Sequence, residues 1–390
     1  MAVIDYSSVL SKTVQEIKPS GIRKFFDIAS EMDNVISLSI GEPDFKTPWE
    51  IRKKAIQTLE KGRTWYSANS GMMDLRVAIC KYLKRRFRLE YHPEHEVLVT
   101  IGGSEAIDMG IRALVSAGDE VLIPEPCFVC YAPIVTLSGG TPVAIPTRAE
   151  NAFRLTGEEL REKITPRTKL LILPFPNNPT GAVLRRQHLE ELAAVLRGTD
   201  IMVLSDEIYA ELTYNGSHVS IAELDGMRER TIVVNGFSKT YAMTGWRLGY
   251  AAGPEPVIAQ MTKIHQFAIM CAPTTSQYAA INALENCDDD VREMAEEYDE
   301  RRRLIVASLN RMGLTCFEPE GAFYVFPSIQ KTGLSSEEFC QRLLKEQHVA
   351  VVPGNAFGDS GEGFVRISYA ASLQNITEAL KRIEQFLNTL

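Results

Sequence analysis

The middle of the chain alternates two kinds of apolar pattern, and that alternation restricts the possible fold more than any single motif does. Runs that are almost wholly apolar, EVLVTI, DEVLIP, TKLLILPFP, DIMVLSDEIY, TIVVNGF and RLGYAAG, are separated by stretches whose apolar residues recur every three or four positions. Ile107, Ile111, Leu114 and Val115 mark one such stretch, and Leu189, Leu192, Ala193 and Leu196 another. A Val/Ile/Leu run without polar alternation has no solvated face, so it reads as a strand covered on both sides, with the periodic stretches as the covering helices. The expected fold is α/β, a mainly parallel sheet between helices. In such sheets the ligand site lies in the loops at the strands' carboxyl ends.

Beyond about residue 285 the pattern changes. A charged helical stretch, DDDVREMAEEYDERRRLIVASLNRMG, leads to the short strand-like segments FYVFPS and GFVRISYA and a closing amphipathic stretch, which reads as a smaller α+β domain. The expected division is an N-terminal segment, residues 1–45, packing with the small domain, a large domain over 46–285 and the small domain over 286–390. At 390 residues, 45% hydrophobic and 24% charged, the chain is long enough for two cores.

Charge and cysteine usage exclude several partners. The formal net charge is −8 with no long run of either sign, so the clustered basic face that nucleic acid requires is missing and a small-molecule partner is expected. No apolar run approaches the roughly 18–20 residues that cross a bilayer. The start, MAVIDYSSVLSKTVQEIKPS, has no charged-then-apolar leader pattern, so a cytoplasmic protein without membrane partners is expected. The seven cysteines (80, 127, 130, 271, 287, 316, 340) are odd in number and scattered, as reduced thiols are. Cys127 and Cys130 form a single CxxC, and His92 and His95 straddle a proline in a charged loop, so no metal site is expected.

Among the expected strand-end loops, VVNGFSKTYAMTGWRLGY holds a lysine, Lys239, just past an apolar run and among small residues. It does not belong to a nucleotide-phosphate loop, because Ser238 and Val234 stand where that loop needs glycine. Two readings stay open: an amine nucleophile activated by partial desolvation, or a packed stem with its head in water. TIGGSEAIDMGIRALV opens a helix with two glycines and Ser104, which suits a phosphate, although a plain glycine turn accounts for it too. PFPNNPTG places Asn177 and Asn178 in a turn-rich loop. Asp206 ends an apolar strand with Tyr209 three residues on; it either caps the next helix or pairs with a buried cation. In GFVRISYA, Phe364, Arg366 and Ser368 share one strand face and Val365, Ile367 and Tyr369 the other, and Arg366 by itself reads as a solvated residue.

Together these groups describe one ligand, an aldehyde on a pyridine ring that bears a phosphate. The chain resembles the class I aminotransferases of the pyridoxal-5'-phosphate fold type I group. The matching stretches are SLSIGEPDFKTP, WYSANSGMMDLRVAI, TIGGSEAI, PFPNNPTGAVL, VLSDEIYAELTY, NGFSKTYAMTGWRLGY, PEGAFYVFPS and GFVRISYA, in the family's order from about residue 20 onward. MTGWR makes it most similar to the prokaryotic aspartate and aromatic aminotransferases.

The resemblance implies a role for each of these groups. Lys239 would form a Schiff base with pyridoxal phosphate and afterwards shuttle a proton, and Asp206 would keep the pyridine nitrogen protonated. Tyr209 and Asn178 would bond the ring's phenolic oxygen, and Phe128 would stack on the ring. Gly103, Ser104, Glu105 and Arg247 would lie at the phosphate end, and Arg366, with Gly41 and Asn178, would hold the substrate's α-carboxylate. Tyr66 would reach the phosphate of the neighbouring subunit's cofactor, which implies a homodimer with shared sites. The implied activity moves an amino group from an L-amino acid to a 2-oxo acid, 2-oxoglutarate first among them, with β-elimination on the same scaffold as the alternative. A non-catalytic cofactor-binding regulator fits worse, since relatives of that kind carry a DNA-binding module that has no room before Gly41. Two departures stand out. Gly236 occupies the place, three before the lysine, where many relatives have a phosphate-contacting serine. Ser104 stands where aspartate-specific bacterial relatives often have lysine, so aromatic or apolar donors are expected to serve at least as well as aspartate.

Overall fold

The computed structural model of the chain describes residues 4–19, 21 and 32–390; residues 1–3, 20 and 22–31 of the expected N-terminal segment lie outside the described residues. In chain order the strands are Ile36–Ser37 (β1), Val97–Thr100 (β2), Glu120–Glu125 (β3), Thr141–Pro146 (β4), Thr168–Leu173 (β5), Met202–Asp206 (β6), Thr231–Gly236 (β7), Gly249–Ala252 (β8), Tyr324–Val325 (β9), Val349–Ala350 (β10), Val352–Pro353 (β11) and Val365–Ser368 (β12). Strands β2 to β8 build one seven-stranded sheet in the order β2-β8-β7-β6-β5-β3-β4.

Every apolar run of the central region contributes to that sheet, and successive residues feed opposite layers. Leu98, Val121, Ile123, Leu170, Ile172, Leu204, Ile232 and Val234 pack under the helices Gly102–Leu114, Tyr131–Leu137 and Glu255–Ala268. Their neighbours Val97, Val99 and Val233 face Trp49–Glu60, Met73–Phe87 and Thr274–Asn286, while Leu122, Leu171, Leu173 and Val203 face Gly157–Lys163 and Arg186–Leu196. A period of two with both faces covered is why these strands read as unbroken apolar runs. Burying each such side chain contributes about 1.5–3 kcal/mol.

Two features of the sheet were not visible in those runs. Strand β4 lies at the edge, pairing within the sheet only with β3. Its outer position leaves it half exposed and admits Pro142 and Pro146, so it carries no apolar run. Strand β8 runs antiparallel to both neighbours, β7 and β2, while β3 to β7 are mutually parallel. From β3 the chain steps outward to β4, then returns past β3 to β5 and on through β6 and β7, so the winding reverses between β3 and β5. The loops after the parallel strands therefore open on one common edge of the sheet, the place where ligands bind in sheets of this type.

The C-terminal region builds a second core. Strands β11, β12 and β9 form an antiparallel sheet in that order, covered by Asp288–Arg311, Ser336–Gln347 and Leu373–Leu387. Asp288, Asp289 and Asp290 in the first turn of the long helix and Arg311 in its last complement the helix dipole. Strand β1 pairs in parallel with β10, tying residues 36–37 to this region. All seven cysteines are free. Among the described residues no helix is long and apolar enough to cross a membrane.

Candidate active site

Four parallel strands deliver one polar side chain or loop each to the same cavity, of about 680 Å³. The β2 loop brings Gly103 and Ser104, the β5 loop Asn178, the end of β6 Asp206 and the β7 loop Lys239. Gly41, Phe128, Tyr209, Arg247 and Arg366 complete the set, so ten of the expected site residues line one space.

Lys239 does not send its amine to bulk water. Nζ donates to the Gly41 carbonyl at 2.6 Å and lies 5.8 Å from the centre of the Phe323 ring. Burial brings its pKa down to about 8, Glu42 opposes the fall, and Arg366 and Arg247 add to it. That favours the first of the two readings: an amine of pKa near 8 is in part neutral at physiological pH and therefore nucleophilic.

Asp206 caps a turn rather than a helix, and no cation pairs with it among the described residues. Its Oδ1 accepts from the Ile208 amide at 3.2 Å, which is the local turn, while Oδ2 accepts from the Tyr131 hydroxyl at 2.7 Å. Burial pushes the carboxyl up to about 6, the Tyr131 and Ile208 hydrogen bonds pull it down, and Glu207 pushes it up. A carboxylate so placed gains most from a cationic partner in the cavity.

The two asparagines divide the tasks between them. Asn177 holds the turn, accepting from Thr180 N at 3.1 Å and Thr180 Oγ1 at 2.8 Å, whereas Asn178 Oδ1 faces Arg366 and accepts from its Nη1 at 3.0 Å. Arg366 is only 2% exposed, contrary to the solvated reading. It belongs to the central strand of the small sheet, and its Nη2 donates to the Ser39 carbonyl at 2.5 Å. The rings of Tyr324 and Phe357 lie 4.6 and 4.9 Å from the guanidinium carbon, and Nε has no hydrogen-bond partner. An orphaned buried donor on a cation is a strong request for an anion.

At the other end, Gly102 starts the thirteen-residue helix Gly102–Leu114 with φ +77°. A Cβ there would lie 2.7 Å from Arg247 Nη2, so glycine suits both the positive φ and the close approach of the guanidinium to the helix start. Free N–H groups, the helix dipole, Ser104 and Arg247 together form an anion cradle. Gly236 pairs with Gly249 across β7 and β8; a Cβ would sit 3.0 Å from the Gly249 Cα and 3.1 Å from the Leu248 carbonyl. A side chain there would press on the Gly249 and Leu248 backbone, so the position is tight for any residue larger than glycine.

Two expected residues stand outside the cavity. The Glu105 carboxylate turns away from it, accepting from the Ile101 amide at 2.5 Å and pairing with the fully buried His265 Nδ1 at 2.9 Å, so it braces the helix start from behind. Its side chain is not a wall of the site, contrary to the expectation from sequence, because the helix turns position 105 toward the helix Glu255–Ala268. Tyr66 is 77% exposed. Conversely Tyr131, Ser238 and Tyr324 line the cavity although the motifs did not point to them. Tyr324 falls within PEGAFYVFPS, and Tyr131 follows Phe128 by three residues, which are the signals that mark them.

Residues 33–383 match the family described as aminotransferase class I and II. The chain belongs to that family. An aspartate aminotransferase of Pyrococcus abyssi is 50% identical to this aminotransferase over 381 residues, covering 97% of this chain and 98% of its own. Aromatic-amino-acid aminotransferase 2 of Thermococcus litoralis is 49% identical over 381 residues with the same coverage. Among solved structures, the aspartate aminotransferase of Thermus thermophilus with maleate superposes with a TM-score of 0.92 at 38% identity, over 96% of this chain and 99% of that one. This aminotransferase is accordingly an enzyme of pyridoxal phosphate-dependent transamination. The cavity suits that cofactor: the anion cradle matches its phosphate, the lone carboxylate of Asp206 its ring nitrogen, and the partly neutral Lys239 amine its aldehyde.

Proposed function

We propose that this aminotransferase takes the amino group of aromatic or large apolar L-amino acids at least as readily as that of aspartate and passes it to a 2-oxo acid, with 2-oxoglutarate accepted. The observation that carries the reading is the buried Arg366, which lines the space that holds Lys239 and keeps guanidinium donors beyond those taken by Asn178 and the Ser39 carbonyl. Among the described residues the charged groups lining that space are Asp206, Lys239, Arg247 and Arg366, and each has a task on the cofactor or the α-carboxylate. None is left for the distal carboxylate of aspartate, and that of 2-oxoglutarate is met by a cation from outside this lining. Ile40 and Val129 offer apolar surface instead, worth roughly 1.5–3 kcal/mol for a large buried side chain.

Bound pyridoxal phosphate supplies an electrophilic carbon and an electron-withdrawing ring. The chain supplies the rest. Gly103, Ser104 and Arg247 would hold the phosphate, Phe128 would stack on the ring, and Tyr209 and Asn178 would donate to its phenolic oxygen. Asp206, steadied by Tyr131, holds a proton at the ring nitrogen. Arg366 and Gly41 fix the α-carboxylate, which orients the substrate's Cα–H toward Lys239 Nζ; that amine takes the proton and returns it on the far side of the transfer.

The same reading makes the working form a homodimer in which Tyr66 completes the neighbouring site. Supporting it, the large side chains of Trp65, Tyr66 and Phe267 are 62%, 77% and 88% exposed. It also keeps the division at about residues 45 and 285, supported by the β1–β10 pairing and by the single residue, Cys287, between the helices Thr274–Asn286 and Asp288–Arg311. A cytoplasmic location accords with the free thiols. The deciding experiment is kcat/KM for Asp, Phe, Tyr, Leu and Ala with a common acceptor. Aspartate preferred by tenfold or more, about 1.4 kcal/mol in transition-state binding, overturns the substrate reading.

A further inference from the structure

The β9–β12 register sets Tyr324 opposite Ser368, and so diagonal to Arg366 on the same face of the small sheet. At that spacing an aromatic ring reaches a long side chain, and the Tyr324 ring lies 4.6 Å from the Arg366 guanidinium carbon. The same ring is fully buried, and its hydroxyl is 2.9 Å from the hydroxyl of Tyr209, a residue of the large sheet's loops. A Cβ on Gly41 would lie 2.5 Å from that Tyr324 hydroxyl, so the oxygen is seated directly on the segment whose carbonyl accepts from Lys239. One side chain from the small sheet thus touches the carboxylate-binding arginine, the tyrosine at the cofactor's oxygen and the Gly41 segment.

We propose that Tyr324 is a positioning residue that couples Arg366 to Tyr209: its ring holds the guanidinium, and its hydroxyl aims the Tyr209 proton. The inference rests on the roles given above to Tyr209 and Arg366. Each phenol has a single proton. When Tyr209 donates to the cofactor's phenolic oxygen, the hydrogen bond between the two tyrosines can persist only with Tyr324 as donor. The proton order is then fixed as Tyr324 to Tyr209 to the cofactor, and each bond strengthens the next. A one-residue slip of β9 would replace Tyr324 by Phe323 or Val325 and remove the hydroxyl altogether.

The visible absorption of the loaded enzyme titrates with the proton shared between the phenolic oxygen and the nitrogen bonded to the aldehyde carbon. A donor at the oxygen stabilises the proton-free form, so weakening that donor raises the pH midpoint. Tyr324→Phe keeps the ring and deletes the hydroxyl. It should raise the midpoint by about 0.2–0.7 pH unit while leaving KM for the amino acid within about twofold. Tyr324→Leu deletes both and should in addition raise KM by about two- to thirtyfold. Tyr209→Phe is the reference and should move the midpoint further than Tyr324→Phe. A Tyr209→Phe shift with no Tyr324→Phe shift overturns the inference alone; no shift in either overturns it together with the assigned role of Tyr209. An unchanged KM in Tyr324→Leu refutes the hold on Arg366. A merely structural tyrosine would lower the melting temperature of the Phe variant without moving its midpoint.

Discussion

Replacing Arg366 tests the substrate end of the site with a magnitude that can be worked from the structure. Of the guanidinium's five N–H donors, one on Nη1 is bound to Asn178 and one on Nη2 to the Ser39 carbonyl, while Nε is free. Enough donors remain for a two-pronged grip on a carboxylate, and each charge-assisted bond contributes about 1.5–3 kcal/mol. Arg366→Ala should therefore lower kcat/KM between about a hundredfold and about ten-thousandfold. Amino acid and 2-oxo acid should suffer alike, because one arginine serves both half-reactions. Arg366→Lys keeps the charge but loses the fork, so its activity should fall between wild type and alanine. The assay is steady-state kcat/KM for donor and acceptor separately, alongside reaction with a primary amine that has no carboxylate, which should be unaffected. Visible absorbance should show the cofactor still bound. A loss below tenfold, or an equal loss with the carboxylate-free amine, refutes the assignment.

Lys239→Met should stabilise the cofactor-free protein below pH 8. The lysine's folded pKa of about 8 lies under its unfolded value, so the buried charge opposes folding at low pH and the penalty, roughly 3 kcal/mol at most, fades as pH rises from 8 to about 10.4. Urea unfolding across that window should show wild-type stability climbing toward the variant's; parallel curves would contradict the burial of the amine. Tyr131→Phe removes a donor to Asp206 and should move that carboxyl up by about one unit from its value near 6, read as a shift in the pH dependence of cofactor association. Gly236→Ser should cost about 1–3 kcal/mol of stability without tightening cofactor binding, because its Cβ meets the Gly249 backbone; tighter binding would show that a serine fits here after all.

The parts of the fold that sequence reveals are those in which one physical constraint acts locally. Leu170 to Leu173 are buried on both faces, so no polar residue interrupts them, and the helix Arg186–Leu196 buries the very residues that repeat. The edge strand β4 meets no such constraint on its outer side, and the reversed direction of β8 leaves no trace in its composition. In the site, Lys239, Asp206 and Asn178 are legible because strand ends position them. Tyr131 and Tyr324 are not, since a buried tyrosine has the sequence signature of any core aromatic, and only tertiary packing turns its hydroxyl toward Asp206 or Tyr209. Arg366 misled for the opposite reason: a central strand of a three-stranded sheet, closed over by Phe357 and Ser39, withdrew from water a residue type that is usually solvated.

The central claim is that the amine of Lys239 carries the chemistry. Borohydride reduction of the cofactor-loaded enzyme, followed by digestion and mass spectrometry, tests it directly. The expected result is a yellow protein whose reduction fixes the cofactor's mass on the peptide containing Lys239 and on no other. A label on a different lysine, or cofactor that washes away after reduction, contradicts it.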